Sequence, residues 1–384
     1  MLRKKPKERI EDVSTPVDRK DVLGLVGVYV DDTLVTGPKN ICEGVVKALQ
    51  KLWKTGDPEF LTPSTPFRFL GVKVVLTKFG LYLHQHFYVD EFLKKHVGSY
   101  GTRVRGTTAA PESFSTKSSG QPPLKPDPED PQHQKQIKRA QQILGALLWL
   151  STRTRPDLSY AVAMAASVQT RDLRDLEVRL RHLLQYVSSH PHLGLYYPYP
   201  TSNYRSLETF TDASFAPSGS HSHQGFAVLF KVGHSQHLLH WNSTRQKLVS
   251  QSSAEAELIA LMSGFKATKS FQHLLSESVA DLTPILRCDN QAVLAMLEKP
   301  SWRTRHISIR GEALRQAKDE KDVLITYVST QNQVADPLTK PTSPQLNRGF
   351  YPKWGLVTLD ASSGGVADSE RQRLLPVSRE KKNK

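Results

Sequence analysis

The sequence predicts an α/β protein whose C-terminal part is a mixed sheet with flanking helices. Three patterns lead there. After residue 207, strand-like runs at 209–212, 225–231 and 237–242 precede a long helical pattern at 253–278 and a strand at 285–289. A short helix at 291–298, a basic segment with a helix to about residue 318, a strand at 323–329 and a helix near 335–339 complete the series, an order that lays helices against a sheet. Helical patterns also fill 134–151, 157–168 and 173–188. Nearer the N-terminus, an apolar run at 22–30 breaks at Asp31-Asp32 and resumes at 34–36, the pattern of a hairpin with two acids at its turn.

At 384 residues the chain is long enough for two or three domains, and its composition divides it. Residues 1–20 are polar and charged and are expected to be disordered. Residues 21–97 hold the hairpin, a helix at 41–53, an extended stretch at 67–76 pairing across Lys78-Phe79-Gly80 with 81–84, and a short helix at 87–96. The stretch 98–133, rich in Pro, Ser, Gly, Thr and Lys, reads as a linker or long surface loop. A helical connection at 134–196 and a boundary at 197–206 lead to a domain at 207–345. Residues 361–384 read as a disordered basic tail, for which a solvated end is a better reading than a nuclear-import signal.

Charge and cysteine usage exclude several classes. The formal net charge of +15 points to a polyanionic partner, with nucleic acid first. Cys42 and Cys288 are far apart and without metal-ligand spacing, so neither a disulfide framework nor a zinc site is expected and a reducing compartment fits. The apolar run at 22–30 is well short of the ~20 residues that span a bilayer, and no secretory signal is read at the start. An intracellular setting, cytoplasmic or nuclear, is expected, with no membrane partner.

Four carboxylates stand where elements of the C-terminal domain begin or end. Asp212 closes one strand and Asp289 another, and acids at strand ends gather along one sheet edge. Asn290 is able to cap the following helix alone, which leaves Asp289 without a structural task. In the helix at 253–278, Ser252 and Glu255 have capping-box spacing, which accounts for Glu255 but not Glu257. Residues two apart on a helix point about 200° apart, so the two do not serve one site. Periodicity does not choose between them, and capping favours Glu257 as the functional acid. Asp336 precedes a proline suited to a first helical turn. Acids gathered in this way resist ionisation unless cations neutralise them. A set of hard oxygen ligands suits Mg²⁺ or Mn²⁺, and two such ions support phosphodiester cleavage.

Five ordered motifs then resemble a known family. Thr211-Asp212-Ala213-Ser214, Ser252-Ser253-Ala254-Glu255-Ala256-Glu257-Leu258, Cys288-Asp289-Asn290-Gln291-Ala292, Arg305-His306-Ile307-Ser308-Ile309-Arg310 and Val334-Ala335-Asp336-Pro337-Leu338-Thr339-Lys340-Pro341 resemble the ribonuclease H domain of Ty1/copia-type retrotransposon Pol polyproteins. The resemblance implies a ribonuclease H-like sheet that cuts the RNA strand of RNA–DNA hybrids. It also implies two Mg²⁺ ions, replaceable by Mn²⁺, on Asp212, Glu257, Asp289 and Asp336. Family members often have Thr at the position of Ala254 and an aromatic residue at that of Leu258. The segment after Arg310 departs further.

The N-terminal part extends the resemblance. Tyr29-Val30-Asp31-Asp32 looks like the polymerase hairpin of reverse transcriptases, and Phe69-Leu70-Gly71-Val72 like the primer-gripping hairpin. Gly145-Ala146-Leu147-Leu148-Trp149-Leu150 and Thr154-Arg155-Pro156-Asp157-Leu158-Ser159-Tyr160-Ala161 look like the copia segment between polymerase and nuclease. The resemblance covers about residues 21–345 and implies a partial palm and thumb before the helical connection. Only 28 residues precede Tyr29, and Asp12, Asp18 and Asp21 lie in polar sequence without a surrounding strand. Asp31 and Asp32 therefore read as a polymerase-hairpin remnant, and no independent DNA synthesis is expected.

Arg303, Arg305, His306 and Arg310 mix with Trp302 in a basic segment suited to phosphate contact, although a lone histidine is more often structural. Arg245 and Lys247 form a second candidate contact. The expected partner is an RNA–DNA hybrid recognised by shape and 2′-hydroxyls. The rival readings are a non-catalytic nucleic-acid-binding remnant and a structural subunit of a full-length reverse transcriptase.

Overall fold

A computed structural model of the chain describes residues 21–96, 98, 105–108, 122–200, 202–217, 219, 221–299, 305–360 and 365–366. The expected segments at 1–20 and most of 361–384 lie outside the described residues. The architecture is mixed α/β with several sheets.

The N-terminal hairpin pairs β1 (Leu25–Tyr29) with β2 (Asp32–Thr36) as a two-stranded antiparallel sheet. Helix α1 (Lys39–Leu52) follows with no buried residue. Strands β3 (Phe67–Phe69), β4 (Val72–Thr77) and β5 (Gly80–His84) form a meander, so the extended run at 67–76 is two strands joined at Leu70-Gly71. Helix α2 is His86–His96.

Helices α3 (Pro131–Arg153), α4 (Ser159–Val168) and α5 (Leu173–Ser189) share a core with α2 built on Ile143, Leu147, Leu158, Leu176 and Leu183. Asp130 caps α3 through Gln132 N–H, so the helix starts inside the stretch expected to be a loop. Parts of that stretch are also tied down. Leu173 N–H donates to Leu124 O at 2.9 Å, and Thr107 Oγ1 donates to Thr342 O at 2.7 Å.

The boundary expected at 197–206 is also structured. Strand β6 (Leu193–Pro198) pairs with β5, and β7 begins at Arg205. On its other side β6 pairs with β12 (Leu356–Asp360), giving an antiparallel six-stranded sheet in the order β13-β12-β6-β5-β4-β3, with β13 at Gly365–Val366. Three distant segments meet in this sheet, so no local pattern announces it.

The second sheet contains β7 (Arg205–Ser214), β8 (His223–Val232), β9 (Ser235–Arg245), β10 (Ile285–Cys288) and β11 (Leu324–Tyr327) in the order β11-β10-β7-β8-β9. The pairs β7–β8 and β8–β9 are antiparallel, whereas β10 runs parallel to both β7 and β11. Helix α6 (Ser253–Ser278) lies so close to β7 that a Cβ on Gly264 would stand 2.4 Å from Thr211 Cγ2. Helices α7 (Gln291–Glu298) and α8 (Arg305–Asp319) follow β10, and Leu286, Val293, Leu297 and Leu314 share a core with Leu258 and Leu261 of α6. A separate cluster joins Phe210, Leu229, Leu238 and Trp241 to Leu195 of β6, Trp354 and Leu356 of β12. The sheet is thus covered by helices and by the six-stranded sheet. Helix α9 (Pro344–Phe350) and the turn at Tyr351–Trp354 lead into β12 and were not expected from the sequence.

Two polar ties hold the helices to this assembly. Trp241 Nε1 donates to Ser151 O at 2.7 Å. The buried Arg155 pairs with Asp157 at 2.8 Å, Tyr186 Oη donates to the same carboxylate at 2.8 Å, and Tyr186 meets Tyr351 Oη at 2.9 Å.

Candidate metal centre

The topology brings the acids together. Strands β7 and β10 run parallel with Arg287 opposite Phe210, so the register carried two residues further puts Asp289 level with Asp212. Asn290 caps α7 through Ala292 and Val293 N–H, and leaves Asp289 available at the strand end. After β11 the chain turns back through Thr330–Asn332 and Asp336–Leu338, each a single 3₁₀ turn, which brings Asp336 over β8. Oxygens of Asp212, Asp289 and Asp336 lie within 4.8 Å of one another, the one such metal-capable group among the described residues.

Glu257 stands outside that set of three but interacts with it. It is 7% exposed, and its Oε2 has no hydrogen-bond partner among the described residues. Burial, followed by repulsion from Asp212 and Asp289, pushes its carboxyl up to about 9, against a hydrogen bond from the Ala213 backbone. Glu255 is the helix-start residue. Its N–H donates to Ser252 Oγ at 3.1 Å, and its Oε2 accepts from Gln251 N–H at 2.8 Å.

Burial raises Asp212 to about 6, with further repulsion from Asp336 and Asp289. Burial also raises Asp336. Three neighbours outside the acid set hold the carboxylates in place. Thr339 Oγ1 donates to Asp212 Oδ2, Thr330 Oγ1 donates to Asp289 Oδ2 at 3.0 Å, and Gln333 Nε2, which also donates to Thr211 O at 2.9 Å, lies 3.5 Å from Asp289 Oδ1. Lys340 Nζ lies 2.9 Å from Asp336 Oδ1. Burial alone would lower the Lys340 pKa, but attraction to Asp212, Asp336 and Asp289 holds it above the usual lysine range. The sequence reading passed over Lys340, Thr339, Thr330 and Gln333. The signal for Lys340 was its i,i+4 spacing from Asp336 within a motif already singled out.

An all-oxygen donor set that resists ionisation by mutual repulsion, beside a buried carboxylate oxygen without a partner, fits a hard divalent cation.

The other predicted residues are dispersed. Asp31 and Asp32 are exposed at the tip of the β1–β2 hairpin, next to Val30 at a φ of 50°. Arg245 ends β9 and Lys247 follows it, both exposed. Arg303 lies outside the described residues. Arg305, His306 and Arg310 fall in α8, with side chains outside the described set. Among the described residues no helix is long and apolar enough to cross a membrane.

No family model matches the chain. It is 28% identical over 349 residues to a retrovirus-related Pol polyprotein from transposon RE2 of Arabidopsis thaliana, covering 88% of this chain and 22% of the relative. To the Pol polyprotein of transposon TNT 1-94 of Nicotiana tabacum it is 25% identical over 321 residues, covering 82% and 23%. Over most of its length the chain is similar to copia-type retrotransposon Pol polyproteins. An uncharacterized mitochondrial protein of Arabidopsis thaliana is 30% identical over 237 residues, covering 61% of this chain and 88% of that protein. The chain spans about a fifth of the length of the Pol polyproteins it matches. Among solved structures, a foamy viral protease-reverse transcriptase in complex with RNA/DNA hybrid aligns with a TM-score of 0.43 and 15% identity, covering 79% of this chain and 36% of that one. A ribonuclease H1, LC11-RNase H1, in complex with RNA/DNA hybrid aligns at 0.27 and 15%, covering 35% and 94%.

Proposed function

We propose that the domain at 207–345 is a ribonuclease H-type nuclease that hydrolyses the RNA strand of RNA–DNA hybrids. The carrying observation is the meeting of Asp212, Asp289 and Asp336 within 4.8 Å beside the unpartnered Oε2 of Glu257. In this reading the three aspartates hold two Mg²⁺ or Mn²⁺ ions, and Glu257 orients water at the edge of the set. Bound there, divalent ions supply charge neutralisation and a water that ionises near neutral pH. Thr339 and Thr330 fix the rotamers of Asp212 and Asp289, and Lys340 balances part of the negative charge. The net charge of +15 supports a polyanionic substrate.

The test is cleavage of a labelled hybrid with Mg²⁺ or Mn²⁺ by the full chain and its Asp289→Asn variant. Cutting of the RNA strand alone, lost in the variant, is the expected result. A folded chain that binds hybrid without cutting it would support the non-catalytic remnant instead.

The polymerase-like part, 21–97, is proposed to be a partial palm and thumb without synthesis of its own. Asp31 and Asp32 sit on an exposed hairpin tip, and among the described residues no further acid forms a metal-capable group with them. Templated primer extension by the purified chain would overturn this. One observation favours a second role beside the nuclease. Helix α1 has no buried residue, and Val28, Tyr29 and Val30 are exposed, which suits docking on a longer Pol chain. A stable complex with full-length reverse transcriptase in sedimentation would establish it.

A further inference from the structure

A second concavity carries different chemistry from the acid cluster. It opens between α4 and the adjacent ends of β8 and β9, with a volume of about 20 Å³, enough for about one water-sized group. Met164, Ser167 and Arg171 face it from the helical side, and His221, His223 and Arg245 from the sheet side. No carboxylate lines it. Its chemistry is therefore that of an anion site of oxygen-atom size, too small for a base.

The charge comes from the two guanidinium groups. His223 is buried, its Nε2 is 2.8 Å from Ser243 Oγ, and burial lowers its pKa to about 4, so it is neutral at physiological pH. Arg171 and Arg245 have no acidic partner among the described residues. Both project from fixed backbone. Arg171 N–H donates to Val168 O at 2.9 Å in the turn after α4, and Asp172 beside it caps α5. Arg245 ends β9, and the next residue, Gln246, donates its N–H to Ser222 O at 2.8 Å.

Position relates this concavity to the acids. Arg245 pairs with His223, His223 pairs with Ser214, and Ser214 is two residues beyond Asp212 on β7. Two strand spacings across and two residues along put the Arg245 and Asp212 backbones about 12 Å apart. One strand of a duplex advances about 3.4 Å per nucleotide, so the separation corresponds to a few nucleotides. Ser243 Oγ also donates to Leu338 O at 2.6 Å, which ties this end of β9 to the turn carrying Asp336.

We infer that Arg171 and Arg245 together form a phosphate site that grips one backbone phosphate of the nucleic acid a few nucleotides from the acid cluster. This deepens, and rests on, the reading of the chain as a hybrid-binding nuclease. It makes the helical connection part of the substrate surface: Arg171 belongs to the connection, whereas Arg245 belongs to the sheet. Guanidinium groups suit the task because their planar donors match phosphate oxygens.

The test is binding of a labelled RNA–DNA hybrid to the full chain in EDTA, across a series of KCl concentrations. The proteins are wild type, Arg171→Ala, Arg245→Ala, the double variant, and Lys138→Ala as a charge-matched control away from the concavity. Melting temperatures establish that each is folded, and Arg171→Lys keeps the charge while losing the fork. Each alanine variant should flatten the slope of log affinity against log salt by about one. The double variant should lose no more than either single one, because both groups hold one phosphate. Lys138→Ala should leave the slope near wild type. Unchanged slope and affinity in the arginine variants, with wild type binding normally, would overturn the site alone. Additive losses would overturn it too, by placing the two groups on separate phosphates. If inorganic phosphate raised the melting temperature of wild type but not of the double variant, with hybrid binding equal in both, the occupant would be a free anion and the nucleic-acid assignment would fall. A wild-type chain that binds no hybrid would overturn the functional reading itself.

Discussion

Gly225 lies directly across from Asp212 in the β7–β8 ladder, and the place where its Cβ would stand is filled by Leu338, whose own Cβ is 2.6 Å away. The turn carrying Asp336 thus rests on bare backbone. Gly225→Ala should push that turn off the sheet and separate Asp336 and Thr339 from Asp212. Overpacking of this kind costs about 1–3 kcal/mol. The expected outcome is a lower melting temperature with Mn²⁺ affinity reduced more than tenfold by calorimetry. Unchanged Mn²⁺ binding would show that the turn adjusts without moving its acid.

Lys340 stands beside the carboxylates where a cation is proposed to bind. Lys340→Met should therefore have two opposite effects. Without divalent ions the acids lose a counter-charge, and because the Lys340 side chain is 41% exposed the loss should be no more than about 1 kcal/mol. With Mn²⁺, affinity should rise several-fold because no resident ammonium competes. Calorimetric titration of the variant and of Lys340→Arg checks both, and weaker Mn²⁺ binding in Lys340→Met would argue that the lysine helps to hold the ion-binding geometry.

The metal-free chain should respond to pH in two opposed ways. Asp212 and Glu257 have folded pKa values raised to about 6 and about 9, so the unfolded chain ionises them first and stability is lost as pH rises above the ordinary carboxylate range toward those values. Glu257→Gln should flatten the decline on the alkaline side and raise the melting temperature in EDTA, while abolishing hybrid cleavage. His84 and His86 behave in the other direction. Burial, with repulsion from His86 on His84 and from His192 on His86, lowers them to about 3 and about 4, so stability is lost as pH falls from about 6.5 toward those values. Their rings are 3.8 Å apart, with His192 next to His86 and Lys73 and Asp90 among the charges acting on the pair. Replacing both by Asn should reduce the acid-side slope in melting curves, with the buried His223 keeping its own share of it.

The buried Arg155–Asp157 pair gives a prediction about coupling. Arg155→Met leaves Asp157 buried and uncompensated, at a cost of about 3–5 kcal/mol. Tyr351→Phe removes a single hydroxyl that touches Tyr186, at a cost of about 1 kcal/mol. Denaturant titration should show both losses in one transition if the helices and the C-terminal segment unfold together. Separate transitions would show that the Tyr186–Tyr351 contact carries little coupling.

Helix α6 was legible almost to the residue, because Ser252 and Glu255 write its start into the sequence and a long apolar pattern follows. The same local chemistry separates Glu255 from Glu257 where periodicity does not. Asp212 and Asp289 were legible as strand-end acids, although their mutual approach depends on the parallel register of β7 and β10. Strands β6 and β12 were not, since Leu195 finds Leu356 only through the folded chain and Pro and Tyr residues around β6 imitate a linker. Arg171 was missed for a similar reason. Nothing in its turn marks it as functional until α4 is packed against β9.

The six-stranded sheet also sets an order of events during synthesis. Its strands β3, β4 and β5 emerge early and β6 follows, but β12 is made only after the whole five-stranded sheet. Until then the free edge of β6 offers its backbone N–H and C=O groups to any extended chain nearby. A ribosome-bound intermediate of this protein therefore carries a temporary sticky edge, and chains stalled before Leu356 are the ones expected to aggregate or to recruit chaperones.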